Sequence, residues 1–167
     1  ISTTEDDKGR DTVMDIVSRY TKARVYPVGN VDRNTTGILL FTNDGVLTKN
    51  LTHPSSQISK LYNVKLNKPV TEEHLNQLIA GVELEDGIVK VDKIAHVGPN
   101  GEEVGLELKS GANQIVRRMF LHLGYEVTNL DRLNFGPLNK RGLPRGKCRM
   151  LTEQEVGYLK MLGNGAK

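Results

Sequence analysis

The segment from Ile88 to Lys109 narrows the folds open to this chain more than any other. Val104, Leu106 and Leu108 alternate with Glu103, Gly105 and Glu107, the period of a half-buried strand. Ile88 to Val97 is a second strand-forming run, and Pro99-Asn100-Gly101 between them is turn chemistry. Strands joined so closely must pair antiparallel, because a parallel return needs a crossover of roughly a dozen residues.

Further strands are expected at Tyr26–Val28, Ile38–Thr42, Lys60–Leu66, Tyr125–Leu133 and Cys148–Leu151. Ile38–Thr42 is a continuous apolar run, the pattern of a strand buried on both faces. In Lys60–Leu66, Tyr62, Val64 and Leu66 share one face. Helices are expected at Thr12–Tyr20, with Val13, Ile16 and Val17 on one side, and from a cap at Asp44 through Leu51. Thr71–Ala80 is amphipathic, with Leu75, Leu78 and Ile79 together, Thr71 as cap and Gly81 as stop. Asn113–Leu123 is a helix stopped at Gly124, and Thr152-Glu153-Gln154-Glu155 is a capping box opening the last one. Hairpins thus coexist with crossovers. The fold class is α+β, with a mixed, mostly antiparallel sheet and flanking helices. No glycine-rich phosphate loop follows a strand, which argues against nucleotide-cofactor folds.

A length of 167 residues suits one domain or one domain with a small lobe. No run approaches the roughly 18 apolar residues of a membrane span. The polar opening, Ser2 to Arg10, is unlike a signal peptide. The single cysteine, Cys148, reads as a small half-buried residue, and with the polar opening it fits a cytoplasmic protein. His53, His74, His96 and His122 are scattered, so no metal site is expected. Net charge is only +3, but its distribution is uneven. Between Asp131 and Glu153 there is no acidic residue, while Arg132, Lys140, Arg141, Arg145, Lys147 and Arg149 fall inside that window. Such a block can neutralise phosphates and release counterions, or it can be a solvated basic loop.

Three places carry candidate chemistry. In Gly29 to Gly37, Asp32 stands just before an apolar run, a position where a rigid support holds a reactive group; taken alone, the stretch also reads as turn and capping residues. In the helix from Asn113, the residues Ile115, Val116, Met119, Phe120 and Leu123 form the buried face and Arg117 and Arg118 flank it on opposite sides. A guanidinium turned along the core edge keeps a nearby carboxylate ionised; two surface arginines are the plainer reading. Tyr62 is a core tyrosine or a stacking platform for an unstacked base.

In order along the chain, these segments carry a resemblance. Val28-Gly29-Asn30-Val31-Asp32-Arg33-Asn34-Thr35-Thr36-Gly37-Ile38-Leu39-Leu40-Phe41-Thr42-Asn43-Asp44-Gly45 is similar to the Gly-Arg-Leu-Asp-x-x-Thr-x-Gly-Leu-Leu-x-x-Thr-Asn-Asp-Gly signature of the RsuA-type pseudouridine synthases. Ser59-Lys60-Leu61-Tyr62-Asn63-Val64 resembles that family's Lys-x-Tyr-x-Val strand. Gly111-Ala112-Asn113-Gln114-Ile115-Val116-Arg117-Arg118-Met119-Phe120 resembles its Gly-x-Asn-x-x-x-Arg-Arg-Met helix. Gly124-Tyr125-Glu126-Val127, Leu130-Asp131-Arg132 and the opening from Ser2 to Val13 continue the match.

The resemblance implies a pseudouridine synthase catalytic domain over 1–167 that acts on RNA: ribosomal RNA first, transfer RNA in some members. It implies Asp32 as nucleophile, Tyr62 as the base-stacking residue, Arg117 as the carboxylate's partner and Ile115 in the base pocket. Asn30, Arg33, Thr35, Arg118, Lys140, Arg141 and Arg145 are the expected substrate contacts. It implies no cofactor, no metal, no membrane and a monomer. Three positions depart from the pattern: Asn30 and Val31 replace arginine and leucine, and Gln114 stands where arginine is common. Asn30 supplies no cation, which bears on RNA grip more than on the chemistry. Members carry a Lys-Pro-x-Gly stretch before the residues matching Ile1–Thr4, and often an S4-type RNA-binding domain before that, so the chain is expected to be a trimmed form lacking both. The alternative function is a catalytically weak RNA-binding or ribosome-assembly module of the same fold. A glycosidase would need a second carboxylate facing Asp32, and the motif loop offers none.

Overall fold

The computed structural model describes residues 13–28, 35–53, 58–85, 87–109 and 114–164. In chain order they form α1 (Val13–Val17), β1 (Tyr26–Pro27), β2 (Thr35–Gly37), β3 (Phe41–Thr42), α2 (Gly45–Thr52), β4 (Lys60–Leu66), α3 (Glu72–Ala80) and β5 (Val82–Leu84). There follow β6 (Gly87–Val89), β7 (Lys93–His96), β8 (Glu103–Leu108), α4 (Ile115–His122), β9 (Val127–Phe135), β10 (Leu138–Asn139) and α5 (Glu153–Asn164). The fold is α+β, as expected. Six strands make the main sheet in the order β10-β9-β4-β8-β7, with β2 added parallel to β9 and every other pair antiparallel.

The hairpin is present: β7 and β8 pair antiparallel from Lys93↔Glu107 to His96↔Val104. The expected single strand from Ile88 to Val97 is instead two. Gly87–Val89 pairs with β5 in a separate ribbon, and the chain then crosses to β8 through Val91 N–H donating to the Leu78 carbonyl and Asp92 N–H to the Glu107 carbonyl. Val91 is buried at this crossing, so an apolar run continues across a change of sheet.

The expected strand Ile38–Thr42 is also corrected. Gly37 has φ of +111°, and a Cβ there would overlap the Arg132 backbone, so only glycine lets β2 lie this close to β9. Past Gly37 the chain changes partner: Ile38 N–H still donates to the Arg132 carbonyl, but Leu40 accepts from Val28 and Phe41–Thr42 pairs with β1. Cys148–Leu151 forms no strand; it leads into α5, and Arg149 grips Glu155 through two bonds of 2.8 and 2.7 Å. Ile79 is exposed, so Leu75 and Leu78 are the apolar residues that α3 buries in the core. The last long strand runs Val127–Phe135, two residues later than the expected Tyr125–Leu133.

The caps follow the sequence. Asp44 accepts from Leu47 N–H at 3.0 Å and Thr71 from His74 N–H at 3.2 Å. Thr152 and Glu155 form the reciprocal box, with bonds of 3.1 and 2.9 Å.

Two hydrophobic clusters result. The larger joins β4, β8 and β9 to α3 and α4 through Val64, Leu78, Leu106, Met119, Phe120 and Leu130, among others. Phe120 is fully buried, worth about 3 kcal/mol against exposure. The smaller joins the β1–β3 ribbon, α2 and α5 to the end of β9 through Val28, Leu40, Leu51, Phe135 and Leu159.

Candidate active site

The site is built where the two clusters meet, along β4, β9 and β2. Tyr62 pairs with Arg132 and Val64 with Leu130, while on the other edge of β9 Gly37 pairs with Arg132 and Thr35 with Leu130. Partners in register point to one side of a sheet. Thr35, Tyr62 and Arg132 therefore share the face on which Val64 and Leu130 pack with Ile115 and Val116 of α4. Thr36, Asn63 and Asp131 point to the other face. There Thr36 donates to Asp131 at 2.8 Å and Lys140 contacts the other carboxylate oxygen at 2.6 Å.

A bulge sits in this ladder. Leu61 pairs with Asn134 but Tyr62 with Arg132, so Leu133 is an extra residue in β9. The insertion shifts the alternation and brings Phe135 to the side of Arg132. The Arg132 guanidinium consequently lies 5.1 Å over the Phe135 ring, and Lys60 Nζ approaches the same ring at 6.0 Å.

Arg132 is buried, unlike the rest of the basic window. Its Nε and Nη2 donate to the Ile38 carbonyl at 3.0 and 2.7 Å, and Tyr62 is its cross-strand partner on the same face. Burial raises the Tyr62 pKa above 10, and the Arg132 charge opposes that. Lys60 is buried as well and donates to the Lys109 carbonyl at 3.2 Å. Desolvation, and then repulsion from Arg132, lower its pKa to about 8.

From α4, Arg117 turns along the core edge. Its Nη1 donates to the Val127 carbonyl at 3.3 Å and its Nη2 to Thr35 Oγ1 at 3.4 Å. It thus joins α4 to the first described residue after the motif loop. Ile115 is buried in the larger cluster, on which the half-buried Tyr62 packs, and Arg118 is half-buried on the other flank of the helix. Gln114, at the start of α4, holds a left-handed backbone with φ of 49°, sparsely populated by any residue but glycine, asparagine or aspartate. Asp32, Asn30 and Arg33 lie outside the described residues.

The basic window divides. Arg132 faces inward, Lys140 is paired with Asp131 and Arg149 with Glu155. Arg141, Arg145 and Lys147 are exposed and, among the described residues, have no carboxylate partner. A second basic stretch was not singled out from the sequence: Arg19, Lys22 and Arg24 are exposed beside Tyr20 and Tyr26, with Arg24 lying 5.8 Å over the Tyr26 ring. The missed signal is basic residues interleaved with tyrosine just before the motif loop. Among the described residues no His, Cys, Asp and Glu cluster fits a metal, and no helix is long and apolar enough to cross a membrane.

The family model described as RNA pseudouridylate synthase matches residues 1–122. The ribosomal large subunit pseudouridine synthase B of Bacillus subtilis (strain 168) is 37% identical over 171 aligned positions, covering 100% of this chain and 70% of that protein. Its counterpart in Vibrio cholerae serotype O1 is 37% identical over 97% of this chain and 51% of its own length. The chain thus spans between about half and 70% of these two curated relatives. A solved pseudouridylate synthase superposes with a TM-score of 0.76 at 26% identity, over 89% of this chain and 65% of that one. An H/ACA ribonucleoprotein bound to a substrate RNA containing 2'-deoxyuridine matches at a TM-score of 0.53 and 17% identity, over 76% of this chain and 44% of that one, a likeness of fold alone. The family match, the ordered motifs and the shared fold lead to one conclusion: the chain belongs to the RNA pseudouridylate synthase family.

Proposed function

We propose that this chain is the catalytic domain of an RNA pseudouridine synthase that isomerises a uridine of ribosomal RNA, with Asp32 as nucleophile. The relatives' names support large-subunit ribosomal RNA as the substrate. In the reaction the bond from uracil N1 to the ribose is broken, the base turns in place, and C5 is joined to the ribose with loss of its proton. A carboxylate that forms a covalent adduct divides this into easier steps. A closed pocket keeps the freed base from diffusing away.

The observation that carries the reading is the meeting of three distant segments. Arg117 of α4 reaches Thr35, three residues after Asp32, and both adjoin the strand pair that carries Tyr62. Arg117 would hold the Asp32 carboxylate ionised. Tyr62 would stack on the uracil taken out of the helix, with Ile115 closing the apolar side. Asn30, Arg33 and Arg118 would contact the RNA near the base. Arg141, Arg145 and Lys147 would meet phosphates, with Lys140, already paired with Asp131, adding little. The reaction as proposed needs no metal or cofactor, and the domain acts as a monomer in the cytoplasm.

A weakly catalytic RNA-binding module is the rival reading, favoured by Asn30 where the family has arginine. Site-resolved pseudouridine mapping on large-subunit ribosomal RNA, incubated with the chain or its Asp32→Ala variant, separates them. The chain should yield a discrete pseudouridine and the variant none, with RNA still bound. Product from Asp32→Ala would remove Asp32 from the mechanism; no product from the unaltered chain on ribosomal or transfer RNA would favour the binding module. Arg117→Leu should slow the reaction and move the acid limb of its pH profile upward, since the carboxylate loses its cation.

A further inference from the structure

We propose that Arg132 is a positioning residue, whose buried guanidinium sets the stacking ring of Tyr62 against the strand that leaves the nucleophile loop. This rests on the reading of Tyr62 and Asp32 given above. Arg132 does not touch the substrate in this account; it acts through its neighbours.

The geometry is specific. Ile38 is held twice by one residue: its N–H donates 2.9 Å to the Arg132 carbonyl, and its carbonyl accepts from Arg132 Nε and Nη2 at 3.0 and 2.7 Å. The same guanidinium lies 5.1 Å over the Phe135 ring, and Arg132 is the cross-strand partner of Tyr62 on the same face, near enough for its charge to act on the phenol. Gly37, just before Ile38, has its Cβ position filled by the Arg132 backbone. One residue therefore joins the exit of β2, its strand partner Tyr62 and the edge of the smaller cluster.

The local backbone serves the same arrangement. The bulge at Leu133 lies beside the Tyr62–Arg132 pair, where it turns Arg132 and Phe135 to one side. A buried cation is costly, and a hydrocarbon of similar volume would often stabilise the fold as well or better. A planar fork with five donors can bond a carbonyl through two nitrogens and lie over a ring at once. Lysine cannot hold both in a fixed plane.

The test is a double-mutant cycle on single-turnover pseudouridine formation in a large-subunit ribosomal RNA transcript. Arg132→Met should slow the step about 100-fold, the scale of an ångström-sized misplacement. Tyr62→Phe keeps the ring but loses the hydroxyl, and should slow it roughly tenfold. The double variant should be no slower than Arg132→Met, with RNA affinity changed less than about twofold, because the two act as one unit. Additive losses, or a folded Arg132→Met at the unaltered rate, overturn the proposal. If Arg132→Met does not fold, Arg132→Lys takes its place in the cycle, with the same criterion.

A second readout is independent of activity. In carbon-labelled tyrosine NMR, with Tyr62→Phe assigning the signal, the arginine variant should titrate Tyr62 at higher pH than the unaltered chain. An unmoved titration sinks the Arg132–Tyr62 link even if the enzyme is active. An unaltered chain that makes no pseudouridine sinks the functional reading instead, and the titration alone then decides the link.

Discussion

Arg132 and Arg145 lie in the same acid-free window, yet one belongs to the inside of the protein and the other to its surface. The end of β9, from Arg132 to Phe135, is a packed junction of two sheet edges and an aromatic ring. The segment from Lys140 to Lys147 is open turn, with Arg141, Arg145 and Lys147 projecting into water. In the first region a cation is held by dipoles and a ring face and acts on neighbouring residues. In the second, cations keep their hydration and act on whatever polyanion arrives. Linear charge density does not distinguish the two; depth does.

The largest effect that breaks this contrast should come from Gly37→Val. The added Cβ meets the Arg132 backbone and the residue is forced into a φ of +111°, so a loss of more than about 3 kcal/mol in stability, or displacement of β2, is expected. Chemical denaturation and the rate together check it. Unchanged values of both would mean the inner region is not tightly packed.

Lys60 gives the next test. Its folded pKa of about 8 lies below the ordinary 10.5. Between those values the unfolded chain binds a proton that the folded one does not, so this group makes stability rise with pH from about 8 to 10.5. Below about 8 the penalty is constant, on the order of 3 kcal/mol. Lys60→Met should flatten the rise, as read by denaturation midpoints across that window; a rise equal to that of the unaltered chain would assign it to other groups.

The outer cations should behave otherwise. Replacing Arg141, Arg145 and Lys147 by alanine should weaken RNA binding and lower the salt slope by about 2 for a single-stranded contact, at roughly 0.7 per phosphate. Stability should stay within about 0.5 kcal/mol. A slope that does not move would make this a solvated loop. Smallest of all should be Lys140→Ala. Its charge is already matched by Asp131 at 2.6 Å, so about 0.5 kcal/mol of stability and little change in salt slope are expected. A drop in slope matching that of an outer arginine would place Lys140 with the surface group.

Much of the fold was legible in advance where the signal is local. The limits of β4, the caps of α2, α3 and α5, and the β7–β8 hairpin follow from side-chain period, cap chemistry and turn residues. Errors gathered where one apolar run serves two partners. Ile38–Thr42 and Ile88–Val97 each read as one strand, and each divides between sheets at a point set by packing. Of the site, the sequence placed Tyr62 and Arg117 on separate elements flanking the core, and Arg117 does reach the motif strand at Thr35. Asp32, Asn30 and Arg33 lie outside the described residues, so their roles stay with the proposal.

Arg132 reads from the sequence as one more cation of the basic window because a charge pattern in one dimension carries no depth. By itself the sequence determined the element types, their order and the family, since these depend on neighbours a few residues apart and on ordered motifs. Only the tertiary structure decided which cations are inside and which strand takes which edge. Those outcomes depend on contacts between residues as far apart as Ile38 and Arg132, and on a one-residue bulge at Leu133 that reverses which way Phe135 faces.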